Sequence, residues 1–438
     1  MSKELNRRQF ISLGTVAAAG LLIGCESKKK TYDFPPFRDQ ALDGAPLTAA
    51  LIGCGGRGTG AAINFLNSGP NLSITMLVDL FPDRIASCRK TIKGKTGGEI
   101  QDDKCILGFE GFKKAMESDV DIVILATPPH FRPEHFEAAV EARKHIFMEK
   151  PVAVDPVGIR MVIASSKKAE ALGLVVGTGT QRRHQRDYVA TYKQIVEGAI
   201  GEILSANCYW NQKQLWYRQP QPKWSEMEYM IRDWVNWTWL SGDHIVEQHV
   251  HNIDVIHWFT GLRPVKALGF GARQRRVTGN QYDFFSIDFE FEHNIRVHSM
   301  CRQINGCDDN VSEYVRGSEG YSNCQNTIYN PDGSIKWQYE YPKDEEGNSM
   351  GRVSKSPYDQ EHIDLVTAIR ENKPYTEAEN TAISTMAAIM GRISAYTGKE
   401  TSWDEMMGSN LKLGPKEYAL GPVDVDKEIP VSGSPNIT

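Results

Sequence analysis

The sequence has no apolar run long enough to span a bilayer. The longest, from Ile11 to Ile23, has 13 residues, against the roughly 20 that a membrane helix needs. Basic patches are equally scarce. Beyond Lys28-Lys29-Lys30 no cluster stands out, and 50 Lys and Arg face 55 Asp and Glu, for a net charge of −5. That leaves no electrostatic footprint for a nucleic-acid partner. The eight cysteines (Cys25, Cys54, Cys88, Cys105, Cys208, Cys301, Cys307 and Cys324) fall at no metal-like spacing, so they form neither a disulfide framework nor a metal centre. Internal repeats and low-complexity segments are absent. What remains is an ordinary globular mix, 40% hydrophobic and 24% charged over 438 residues. On a prior of about 150 residues per domain that is two to three domains.

The N-terminus reads as an address. Asn6-Arg7-Arg8-Gln9-Phe10-Ile11 sets two arginines before the apolar stretch, which closes on Leu22-Ile23-Gly24-Cys25. This resembles a twin-arginine export signal ending in a lipoprotein box. Cleavage would leave Cys25 as a lipidated first residue, its lipid the chain's one attachment to a membrane. A periplasm-facing location is therefore expected. Residues 26–45, polar and proline-containing, are expected to tether the body to the lipid.

A strand–loop–helix pattern follows. Leu47–Ile52 is a short apolar run of the kind that forms a buried parallel strand. It leads into Gly53-Cys54-Gly55-Gly56-Arg57-Gly58, and Thr59 to Leu66 reads as a helix start. Such a G-x-G-x-x-G loop is a dinucleotide fingerprint. Gly53 permits the tight turn, Gly55 lets backbone approach a pyrophosphate, and Gly58 lets helix and strand pack closely. Gly56 and Arg57 complete the loop. A second strand ends at Asp79, 26 residues after Gly53. A carboxylate there accepts both ribose hydroxyls and repels a 2′-phosphate, which favours NAD over NADP. Further strand–helix units follow, with strands near residues 120–126, 145–148 and 174–177. This alternation predicts a doubly wound parallel sheet. Thr127, Pro128, His130, Glu149 and Lys150 fall at strand ends, where such sheets bind ligands, and are expected to face the cofactor.

At this point the chain resembles the Gfo/Idh/MocA oxidoreductases over residues 46–405. The resemblance rests on GCGGRG (Gly53–Gly58), ATPPH (Ala126–His130), EKP (Glu149–Pro151), the segment Thr180–Ile203, EQHVHNID (Glu247–Asp254) and the segment Glu361–Pro374. It implies an N-terminal Rossmann domain and a C-terminal α/β domain with a large, open, mostly antiparallel sheet. That sheet often forms the oligomer interface, so a homodimer or homotetramer is expected. The family pattern D-x-G-x-H-x-x-D reads here with Glu247 in place of Asp and His249 in place of Gly, while His251 and Asp254 match.

The resemblance implies a nicotinamide enzyme acting on a secondary alcohol of a sugar or glycoside, with NAD tightly held. Tight binding suits the export signal, because a folded chain can carry its cofactor out. His251 suits the role of general base, its ordinary pKa of about 6.5 lying near working pH. If the segment Glu247–Asp254 is one helix, Glu247 and His251 share a face and the carboxylate can orient the imidazole. Glu247 and His251 also have the i,i+4 spacing of metal ligands, but too few further ligands converge for a metal to be expected. Lys150 can steady negative charge on the reacting oxygen. Arg183, His249, Asp254 and Trp237 are candidate substrate contacts. Seven of the nine tryptophans lie between Trp210 and Trp258, most of them expected in packing. The alternative is a glycosidase that oxidises C3 transiently, eliminates, adds water and reduces back, with Glu247 and His249 supplying the extra acid and base. The expected organisation is a signal (1–25), a linker (26–45), a Rossmann domain (46–177), a substrate and oligomerisation domain (178–405) and a tail (406–438).

Overall fold

The computed structural model describes residues 37–351 and 355–434. The expected signal and Cys25 lie outside the described residues. Among the described residues no helix is long and apolar enough to cross a membrane.

Six strands form the first sheet: β1 (Leu47–Ile52), β2 (Leu72–Asp79), β3 (Cys105–Leu107), β4 (Ile122–Leu125), β5 (His145–Met148) and β6 (Val176–Thr178). They run in the order β3-β2-β1-β4-β5-β6, and every pairing is parallel. All four residues of β4 are buried, as a strand covered on both faces requires. The order reverses between β1 and β4, and a crevice opens at such a switch point. The three-residue β3 is too short to show a period and was not anticipated. The helix Pro357–Glu371, expected in the second domain, instead belongs to this layer. Its Ile363, Leu365 and Val366 share one core with Leu51, Ile124 and Phe147.

Nine strands form the second sheet: β7 (Ile203–Gln212), β8 (Pro264–Ala272), β9 (Phe284–Phe291), β10 (Ile295–Gln303), β11 (Asn310–Gly317), β12 (Tyr321–Ser322), β13 (Thr327–Tyr329), β14 (Ile335–Gln338) and β15 (Thr401–Ser402). Their order is β14-β13-β12-β11-β7-β10-β9-β8-β15. Only β7 and β10 pair in parallel. The helices Val250–Thr260 and Ala378–Thr397 pack against this sheet. In β9 the buried Phe285, Ile287, Phe289 and Phe291 alternate with Ser286, Asp288 and Glu290, the period of a sheet with one covered face.

Two segments expected to be peripheral are docked. Part of the expected tether lies on the body. Ala41 is buried, its N–H donates to the Ser68 carbonyl, and the Arg370 guanidinium donates to the carbonyls of Leu42, Ala45 and Pro70. The tail is also anchored. The Leu413 N–H donates to Asp155 at 2.8 Å, and the Val423 N–H donates to Glu226 at 2.8 Å. Tail residues Leu413, Tyr418 and Val423 join Phe81 and Phe131 of the first domain and Met227, Trp237 and Trp239 of the second in one apolar cluster. Neither segment has a hydrophobic period, so this docking has no periodic signal in the sequence.

Candidate active site

The Gly loop is shaped by space as well as by φ. Gly53 has φ +98°, and a Cβ there would meet the backbone of Ala126 and Thr127 at 2.6–2.7 Å. A Cβ on Gly58 would sit 1.8 Å from the Gly53 carbonyl oxygen. Gly55 and Gly56 differ, with nothing among the described residues within 4 Å of an added Cβ. No side chain caps the helix Gly56–Asn67, whose N-cap is Gly55. Its first N–H groups are thus left to an anion, and the helix dipole favours one. An open cradle over an uncapped helix start fits a dinucleotide diphosphate.

A cavity of about 390 Å³ lies over this loop. Gly53, Gly55, Gly56, Arg57, Gly58, Asp79, Thr127 and Pro128, all expected to bind cofactor, are on its wall. Asp79 is held in place from behind. One carboxylate oxygen accepts the Cys54 N–H at 2.6 Å and the other accepts the Phe81 N–H at 2.9 Å. Burial raises its pKa, and those N–H groups and the nearby Arg84 oppose the rise. Arg57 donates to Glu149, lies 3.6 Å from Glu361 and stacks 4.8 Å over Tyr358.

Three residues expected to face the cofactor, Glu149, His130 and Lys150, are not on this wall. Glu149 is buried beneath Arg57 and is not on the cavity wall, so it positions Arg57. His130 turns away to the tail, where its Nε2 meets the Tyr418 hydroxyl at 2.7 Å and its ring packs edge-on to Trp239. Its place on the wall is taken by His135, whose Nδ1 lies 3.3 Å from the Thr127 hydroxyl. The sequence reading also missed Phe81, Arg84, Arg218 and Arg232 on the wall. Of these only Arg84 had a signal, its place in the first turn of the helix that follows Asp79.

Lys150 follows β5, with its ammonium group donating to the Glu247 carbonyl at 2.5 Å and to the Glu247 carboxylate at 3.3 Å. His251 is buried in the first turn of Val250–Thr260, stacked on Trp210 of β7 with centroids 5.6 Å apart. Burial first, then the charges of Lys150, Arg182 and Arg57, hold its pKa well below the usual histidine value. His251 is therefore neutral at neutral pH. Lys150, Glu247 and His251 lie beyond the cavity wall; Arg57, on that wall, is near enough to act on His251.

The expected Glu247–His251 pair is corrected. The segment is not one helix: His244–Glu247 ends before Val250–Thr260 begins, and the Glu247 carboxylate turns to Lys150. Its Oε2 is buried with no hydrogen-bond partner among the described residues. The expected substrate contacts are corrected too. Arg183 and Asp254 bind each other through two 2.9 Å hydrogen bonds, and Asp254 also accepts the Ser384 hydroxyl at 2.7 Å. This buried clamp joins three segments. His249 is fully buried under the sheet, its Nε2 at 2.7 Å from the Ser299 hydroxyl. Burial pushes its pKa down to about 3. Trp237 packs in the apolar cluster, edge-on to Tyr229.

Comparison with known proteins agrees with this architecture. A family model described as "Oxidoreductase family, NAD-binding Rossmann fold" matches residues 47–179. One described as "GFO/IDH/MocA C-terminal domain" matches residues 188–322. Together they cover more than half of the chain. An inositol 2-dehydrogenase/D-chiro-inositol 3-dehydrogenase from Lactiplantibacillus plantarum is 25% identical over 230 residues, 52% of this chain and 57% of that protein. A glycosyl hydrolase family 109 protein from Shewanella amazonensis is 27% identical over 209 residues, 46% of this chain and 44% of that protein. The chain spans about half the length of the curated relatives it matches. The structure of apo scyllo-inositol dehydrogenase from Lactobacillus casei shares the fold at TM-score 0.61 and 18% identity, covering 82% of this chain and 98% of that one.

Proposed function

Because the chain belongs to the GFO/IDH/MocA oxidoreductase family, we propose that it oxidises a secondary alcohol of a sugar, glycoside or related cyclic polyol with NAD. The observation that carries this is a buried His251, stacked on Trp210 and kept neutral by burial, near enough to feel the charge of Lys150, which the Glu247 carbonyl and carboxylate hold after β5. NAD, when bound over the Gly loop, supplies the hydride acceptor. Gly55 and Gly56 leave room for its diphosphate, and Asp79 faces the ribose end. The neutral His251 has a free lone pair to take the hydroxyl proton. Removing that proton leaves negative charge on the substrate oxygen, and Lys150 stabilises it electrostatically. Glu247 holds the ammonium in position through two acceptors. Trp210, stacked on His251, offers an aromatic surface to the C–H face of a ring.

The inositol dehydrogenase relative supports this reading. The family 109 relative supports the redox-assisted glycosidase, but His249 is sealed beneath the sheet and cannot supply that reaction's extra base. The proposal extends to place. Arg7, Arg8 and Cys25 support twin-arginine export and a lipid anchor facing the periplasm, and the exposed Leu268, Phe270 and Met300 on the open sheet support a homodimer or homotetramer formed through it.

The test is to incubate the chain with NAD⁺ and, separately, myo-inositol, common aldoses and a nitrophenyl glycoside, reading absorbance of NADH and of nitrophenol. NADH formation with a polyol or sugar is expected. Nitrophenol release without net NADH would replace this reading by the glycosidase, and neither signal with any substrate would overturn both.

A further inference from the structure

The cavity over the Gly loop is not made by the first domain alone. Five residues of the second domain complete its wall: Trp216, Arg218, Ile231, Arg232 and Trp234. They lie on the long coil that follows β7 and on the short helical turns after it. Three independent features distinguish this edge.

Arg232 ties the two domains together. Its guanidinium forms a two-pronged pair with Asp83, at 2.8 and 3.1 Å, and lies 3.9 Å over the Phe81 ring. Asp83 and Phe81 come just after Asp79, so the tie sits at the ribose end of the cavity. Glu228 steadies Arg232 from its own helix at 2.8 Å.

The coil itself is pinned. The Arg218 N–H donates to Asp233 at 2.7 Å, and Asn236 donates to the Trp216 carbonyl at 3.4 Å. Asn236 also donates to Asp233 at 2.8 Å. Asp233 and Asn236 are both buried. A short stretch of coil is thus fixed across the mouth by its backbone, leaving its side chains free.

Those side chains are unspent. Trp216 is 45% exposed, although its ring meets Trp234 with centroids 6.2 Å apart. The Arg218 guanidinium forms no ion pair among the described residues and lies over the Trp216 ring at 5.6 Å. A large ring and an uncommitted cation, both on the wall of a cavity built for a dinucleotide, match a ligand with aromatic bases and a diphosphate.

We infer that Trp216–Arg218 is a strap that retains the dinucleotide: Trp216 covers the ligand, Arg218 supplies a counter-charge to it, and the Asp83–Arg232 tie keeps the strap closed. This rests on the cofactor reading above. It makes cofactor release depend on parting the two domains at this edge, so that NAD stays on the chain between turnovers.

The test uses the purified full chain loaded with isotopically labelled NAD⁺ and chased with unlabelled NAD⁺, reading label retained with time. Arg218→Ala and Arg232→Gln are each expected to speed release at least ~10-fold, because interface losses are felt mainly in dissociation rates. Arg218→Lys, which restores the charge, is expected to fall between. The Arg218 side chain is exposed and forms no ion pair among the described residues, so its replacement leaves folding intact even if Arg232→Gln does not. Wild-type retention with equal release rates in all three variants would overturn the strap and leave the cofactor reading standing. Wild type that neither takes up label nor carries NAD through purification, as assayed in the denatured supernatant, would overturn both.

Discussion

Lys150 and His251 make opposite demands on one small volume. Burial of the imidazole, and after it the charge of Lys150, raises the cost of protonating His251. The ring therefore stays unprotonated below the pH at which a free histidine would charge. The sign follows directly: a base with a lowered pKa remains competent as pH falls through 6.5. The acid limb of kcat/KM for alcohol oxidation is expected to break well below that value, and His251→Ala is expected to lower turnover by about 10²–10⁴-fold and remove the limb. A wild-type break at or above 6.5, or a loss under tenfold, would remove His251 from the base role. At this scale the sequence was informative where backbone sets the chemistry. The Gly loop, Asp79, Thr127 and Pro128 reach the cavity because strand ends and glycine clearances put them there. It was uninformative where partners are remote. Glu149 meets Arg57 from 92 residues away, Arg183 meets Asp254 from 71, and His130 meets Tyr418 from 288. Residue type alone does not say whether a charge or ring will face a ligand or another side chain.

Among the elements, the longer apolar strands of the first sheet were legible, and the three-residue β3 and the short helical turns were not. β1 and β5 match the sequence expectation residue for residue, since apolar runs bounded by glycine or charge have sharp ends. The break between Glu247 and Val250 has no such marker, and it redirects Glu247 from His251 to Lys150. The outer face of the second sheet carries a consequence of its own. Across β8, β9, β10, β7 and β11, Phe270, Ser286, Met300, Tyr209 and Ser312 stand in one register row. Phe270 is 64% exposed, with Leu268 and Met300 also uncovered. Burial of such a row supports association through this face, since each fully covered large apolar side chain contributes about 1.5–3 kcal/mol. Phe270→Glu is expected to shift the mass measured by light scattering from oligomer to monomer, with the thermal midpoint of the chain changed little. A wild-type monomer at micromolar concentration would refute the association.

For the molecule as a whole, the two-sheet plan was legible from strand spacing and from the family resemblance, but its closure was not. The first sheet borrows the helix Pro357–Glu371, and the tail enters the apolar cluster that joins Phe81 and Phe131 to Met227, Trp237 and Trp239. Both are long-range contacts without periodic signals. The expected lipid anchor at Cys25 implies that Cys25→Ser will move the chain from the membrane to the soluble fraction on cell fractionation. Equal partition of the two forms would end the anchor reading. The parallel pairing of β7 with β10 has a different kind of consequence. Everything between those strands, from the Trp216 strap through Glu247 and His251 to β8 and β9, is chain that must be laid out before the pair can close. Closing so distant a pair carries its loop entropy before any reward, which slows folding. The proposed catalytic segment is thus enclosed within one of the long-range pairings of the second sheet. On dilution from denaturant, recovery of activity will trail the return of helical signal, and the chain will pass through a stage that is largely folded yet inert.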